Sequence, residues 1–167
     1  TLWSESERNA IGVYTVELDE TNKKDVKWYK NTNITYAYDS SANKVKGTYG
    51  TATAKPHADT TYTNTDKSNG DIPTGKNVGD VKEEGLKTVL IRQVKRKAQE
   101  ILNETDWYIT RNAEKSTAIP SAITTHRDAV RTKQAEMETA ITNAADTPAL
   151  ETLYTYTVTD GVQSRPL

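Results

Sequence analysis

The sequence predicts an α+β chain, with a small N-terminal antiparallel β domain followed by an antiparallel helical hairpin and a terminal β-strand. Three observations predict it. Through much of residues 11–65 apolar and polar residues alternate with period two, the repeat of a strand with one face covered. At 66–79 a polar stretch holds Gly70, Pro73 and Gly75, residues that punctuate regular structure. Beyond it Leu86, Leu90, Val94, Ala98 and Ile101 recur at helical spacing and place one apolar stripe on a long helix. The expected division is a β-rich domain over 1–65, a linker at 66–79, a helical hairpin over 80–146, and a short helical turn with a terminal strand over 147–167.

The β part begins with Val13, Thr15 and Glu17 on one phase and Tyr14, Val16 and Leu18 on the other. The polar cluster at 19–25 reads as a turn, because its short side chains bond the local backbone. Val26 to Tyr29 and Ile34 to Tyr38 read as the next strands. A second turn cluster at 39–43 follows, and 44–51 returns as a strand weakened by Gly47 and Gly50. Trp28, Tyr29, Tyr36, Tyr38, Tyr49 and Tyr62 are expected to pair across strands as the core of this part, each good pair adding about 0.2–1 kcal/mol.

Asp80 and Glu83 have the spacing of a capping box, so the first helix is expected to start there. It would run to Leu102 with Arg92, Lys95, Arg96 and Lys97 on its outer face. The polar run at 103–106 ends it, and Trp107, Tyr108 and Ile109 lead an extended crossing toward Pro120, which suits the first turn of a second helix. Ile123, Val130, Met137 and Ala144 then fall seven apart with Ile141 between, a narrow seam. Thr147 before Pro148 reads as a further cap. Tyr154, Tyr156 and Val158 alternate with threonines in a terminal strand, expected to pair with the N-terminal sheet or with another chain.

Composition narrows the function. Only 34% of the 167 residues are hydrophobic, with no Phe and one Met, against about 45–50% apolar in ordinary domains. Little burial is available to offset chain entropy, so partners are expected to supply part of the stability. With 22 basic and 23 acidic residues the net charge is −1, which provides no global attraction for nucleic acid or an anionic membrane. No apolar run approaches the length of a membrane span, and residues 1–7 lack the pattern of a signal peptide. The chain opens on Thr1 without a tag, as expected of a protein that has lost its initiator Met and is met in its native assembly.

No pattern of catalytic residues stands out, and the expectation is a protein that is not an enzyme and takes no cofactor. The absence of cysteine excludes thiol catalysis and thiolate metal sites. Two histidines, His57 and His126, are too few for a structural zinc site. The segment 66–71 has the oxygen-rich spacing of a calcium loop, but Asn77 stands where its bidentate glutamate would be. No phosphate-binding Gly-Lys-Ser/Thr loop occurs. The basic run 92–97 reads as the charged face of a helix.

The second half resembles a family of bacteriophage tail proteins usually labelled tail assembly chaperones, also met at the ends of some tail-fibre proteins. The resemblance covers about 86–142. It rests on the basic helix from Arg92 to Leu102, on Thr105-Asp106-Trp107, on Ile119-Pro120, and on His126-Arg127-Asp128-Ala129-Val130-Arg131. His126 stands where the family commonly has an aromatic, and the crossing at 108–119 is longer. From Leu2-Trp3-Ser4 to Arg165-Pro166-Leu167, the whole chain is similar to uncharacterised tail-associated proteins of marine phages. The resemblance implies a virion structural component, tail or tail-fibre associated, in contact with other phage subunits and made in the host cytoplasm. An assembly chaperone that leaves the particle is the alternative, and a hydrolase acting on host glycans a third reading. Among candidate structural and interaction residues, Trp107 is expected to fold over both helices, and Arg127 and Arg131 to clamp Asp106 or backbone carbonyls. Tyr154, Tyr156 and Val158 are expected at a subunit contact.

Overall fold

The structure, a computed structural model, describes residues 3–164, with the backbone alone for Thr159 and Val162–Ser164. Leu2 and Arg165-Pro166-Leu167, which enter the resemblance, lie outside the described residues. The α+β class holds, and the chain divides into two compact units, 1–55 and 56–167.

The first unit opens with a helix that period-two reading does not detect, α1 (Glu5–Ala10). A capping box makes it: Ser4 Oγ accepts from the Glu7 N–H, and the Glu7 carboxylate accepts from the Ser4 N–H at 2.7 Å. The strands are β1 (Val16–Asp19), β2 (Tyr29–Lys30), β3 (Ile34–Asp39), β4 (Lys44–Tyr49) and β5 (Thr53–Ala54). Strands β3 and β4 form an antiparallel hairpin, closed by the Asp39 carboxylate accepting from the Ser41 N–H at 2.9 Å and hydroxyl at 2.6 Å. Tyr36 lies opposite Gly47, where a Cβ would come within 2.9 Å of both the Tyr36 ring and Leu18.

The sheet is mixed rather than wholly antiparallel, since β1 joins the other edge of β4 in parallel, with Val16 opposite Val45. The turn at 19–25 is real, with Asp19 accepting from the Thr21 N–H and hydroxyl. It ends β1 without folding the next strand back on it, and β2 pairs with β5 instead. Parallel neighbours need a long crossover, which residues 20–43 supply. Of the aromatic residues expected in the core, Trp28 and Tyr29 are buried, whereas Tyr36 and Tyr38 are exposed.

The second unit begins at Pro56. It contains β6 (Thr60–Thr61), α2 (Asn64–Asn69), β7 (Val81–Glu83), α3 (Leu86–Asn103), α4 (Asp106–Lys115), α5 (Ser121–Asn143), α6 (Thr147–Tyr154), β8 (Thr157–Thr159) and β9 (Val162–Ser164). The stretch at 66–79 is therefore not a linker between domains. It lies inside this unit between the paired strands β6 and β7, and the boundary falls after Lys55. Thr63 and Asp66 form a capping box on α2, and Asp66 also pairs with Lys82. Lys82 first, and then Thr63, hold the Asp66 carboxyl well below the usual carboxylate range. Gly and Pro content marks this stretch as irregular; the long-range pairing that ties it down is not visible in composition.

The expected cap at Asp80 and Glu83 is likewise replaced. Val81–Glu83 is a strand, and α3 starts at Leu86 with its free N–H groups taken by a segment distant in sequence. The Gly85 N–H donates to Asp59 Oδ1 at 2.6 Å, Leu86 to the Pro56 carbonyl at 2.8 Å and Lys87 to the His57 carbonyl at 3.2 Å. These bonds satisfy donors that the first turn of a helix leaves open. The approach is so close that a Cβ on Gly85 would lie 2.3 Å from the backbone of His57 and Ala58.

Helices α3 and α5 are antiparallel. Lys87 reaches the Thr142 carbonyl, Lys95 pairs with Glu138, and Arg127 reaches the Leu102 carbonyl, so one helix ascends as the other descends. Leu86, Leu90, Val94, Ala98 and Leu102 are buried on α3, with Ile141, Ala144 and Leu150 on the facing side. Helix α6 is capped by Asp146, one residue before the expected Thr147, which is itself buried and bonded to His57 Nε2 at 2.9 Å. The terminal segment is not a single strand: β8 and β9 form a hairpin around Asp160 and Gly161, with φ of 51° and 75°.

Candidate interaction surface

Arg127 organises the turn between α3 and α4. Its side chain projects from α5 and is 8% exposed. Nη1 donates to the Leu102 carbonyl at 2.8 Å and to Thr105 Oγ1 at 2.7 Å, and Nη2 lies 2.8 Å from Asp106 Oδ1. The Leu102 carbonyl belongs to the last turn of α3, where helix acceptors go unpaired. Asp106 opens α4, where a carboxylate favours the positive end of the helix dipole. A planar guanidinium serves three such acceptors at fixed angles, which an ammonium cannot do. Arg127 thus clamps both Asp106 and a backbone carbonyl. Arg131 does neither; it pairs with Asp128 at 3.2 Å on the exposed side of α5.

The extended crossing expected at 107–109 is helical instead. Asp106 is held at the first position of α4, and each helical step turns the next side chain by about 100°, so Trp107 points away from the latch. It is 52% exposed and does not fold over α3 and α5. Its ring stacks on Tyr108 with centroids 3.9 Å apart, and the Arg111 guanidinium sits over both rings at 4.7 Å and 5.4 Å. Ile109 is also exposed, and α4 buries none of its residues. Trp107 is exposed and Tyr108 and Arg111 beside it are half-buried; Trp, Tyr and Arg are the residue types that dominate protein–protein hot spots. Arg111 escaped sequence reading and Tyr108 was read only as part of an extended crossing, although the spacing of three and four from Arg111 to Tyr108 and Trp107 places all three on one helical face.

At the C-terminal end, Tyr154 closes α6 rather than entering a strand, while Tyr156 is 53% and Val158 68% exposed. The basic run of α3 carries its own counter-charges: Arg92 pairs with Glu84, Lys95 with Glu138, and Arg96 and Lys97 with Glu100. In the calcium-like segment the Asp66 carboxylate is engaged by Thr63 and Lys82. Among the described residues no group of three or more His, Asp or Glu side chains could hold a metal ion, and no helix is long and apolar enough to cross a membrane. No protein-family model, curated protein or solved structure matches the chain.

Proposed function

We propose that this chain is a structural component of a bacteriophage virion, associated with the tail or tail fibre, acting through protein–protein contacts in a multimeric assembly and not as an enzyme. The observation that carries the reading is the junction of the two segments behind the resemblance to tail assembly proteins. Residues 105–107 and 126–131 meet through Arg127 and Asp106, and their tryptophan is turned outward. The poor apolar content supports it, because a thin core leaves side chains such as Trp107, Tyr156 and Val158 for other subunits to cover.

Mass spectrometry of purified particles tests the proposal. The chain is expected among the tail proteins of mature virions. Its absence there, together with failed tail assembly when its gene is deleted, would reject the virion role and favour the transient chaperone.

A further inference from the structure

Between α3 and α5 lies an open groove of about 340 Å³, lined by these two helices alone. Val94, Ala98 and Ile101 of α3 and Ala129, Val130 and Met137 of α5 form an apolar floor. Its rim carries Lys97, His126 and Lys133, and no carboxylate lines it. Among the described residues, Lys97 and Lys133 take their counter-charges from neighbours on their own helices, Glu100 at 3.3 Å and Glu136 at 3.4 Å. Such exposed pairs contribute little and exchange readily.

We propose that this groove is a docking site for an amphipathic helix of a partner protein, one with aliphatic anchors facing the floor and acidic residues flanking them. The dimensions fit. The lining stretch of α5 from His126 to Met137 runs about 16 Å at 1.5 Å per residue, enough for about three turns of a third helix packed ridges into grooves. Ala98 and Ala129 let a backbone approach closely, and the unbranched Met137 adapts to the anchor it meets. Charge selects the occupant: Lys97 and Lys133 on the rim, with no carboxylate in the lining, suit a partner helix whose flanking glutamates can pair with them. The inference deepens the assembly reading by naming a surface and the chemistry of what it holds, and its test is independent of particle composition.

The probe is a fluorescein-labelled helical peptide with leucines at i, i+4, i+7 and i+11 and glutamates beside them. Its charge-reversed lysine isomer serves as the comparison, and both are titrated with the full chain by fluorescence anisotropy. The acidic peptide is expected to bind with micromolar affinity, weakening as salt rises, and the lysine isomer about tenfold more weakly or less. Ala129→Glu, exposed and compatible with a helix, is expected to abolish binding with an unchanged melting curve. The double variant Lys97→Glu/Lys133→Glu should reverse the preference between the peptides. Equal binding of both isomers, binding of neither, or full binding to the Ala129→Glu chain would overturn the proposal. Self-association seen by sedimentation and lost in Ala129→Glu would assign the groove to a second copy instead, which also overturns it.

Discussion

Replacing Arg127 by Ala removes the donor to the Leu102 carbonyl, Thr105 Oγ1 and Asp106 Oδ1 together. The three losses are unequal. The Leu102 carbonyl keeps the Thr105 N–H at 3.1 Å and hydroxyl at 3.0 Å, so it is weakened but not orphaned. The Asp106 side chain is 49% exposed, so water rehydrates it, and its share is that of a surface ion pair, under about 1 kcal/mol. The bonds from a charged, buried donor carry more, about 1.5–3 kcal/mol each before water returns. The expected cost of Arg127→Ala is therefore about 2–3 kcal/mol. Asp106→Asn should cost less than about 1 kcal/mol, and Arg127→Lys, which keeps the charge but not the fork, should fall between them. Urea unfolding followed by far-UV circular dichroism reads all three, because the long helices lie in the second unit. If Asp106→Asn proves as costly as Arg127→Ala, the ion pair and not the buried carbonyl and hydroxyl holds the latch, and the reasoning fails.

Trp107→Ala should change stability by less than about 1 kcal/mol, since the ring is half exposed and stacks only on the surface of α4; a loss as large as that of a core aromatic would show the ring to be buried. Gly85→Ala forces a Cβ into the backbone of His57 and Ala58 and should cost about 3 kcal/mol, read as a lowered urea midpoint; an unchanged midpoint would mean that 56–59 does not cap α3. The Gly85 N–H first, and then Thr88, hold the Asp59 carboxyl below its ordinary value. A depressed folded-state value stabilises the fold fully above the unfolded carboxylate range and loses that contribution as pH falls through the folded value. The second unit should accordingly weaken on acidification below about pH 4, and Asp59→Asn should flatten that part of the stability profile; identical acid profiles would refute the contact.

Sequence by itself determined what depends on near neighbours. The stripe from Leu86 to Leu102 and the seam through Val130, Met137 and Ile141 specify α3 and α5, because helical hydrogen bonds and side-chain neighbours lie within four residues. The turn at 39–43 and the stop at 103–106 were readable for the same reason, and so was the α+β class. Asp106 or a backbone carbonyl could be named as acceptor for Arg127, although neither the helix that Asp106 opens nor the Thr105 hydroxyl was foreseeable. The tertiary structure alone decided what depends on distant segments. Parallel pairing of β1 with β4, the tie between β6 and β7 that absorbs 66–79, and the capping of α3 by 56–59 all join residues far apart in sequence. Local chemistry at Asp80 and Glu83 offered a cap as plausible as the one used, and the strand pairing of Val81–Glu83 displaced it. The outward turn of Trp107 followed likewise from Arg127 holding Asp106 in place: a side chain's burial is set by which neighbouring group is fixed first, and that fixing contact came from twenty-one residues further along the chain.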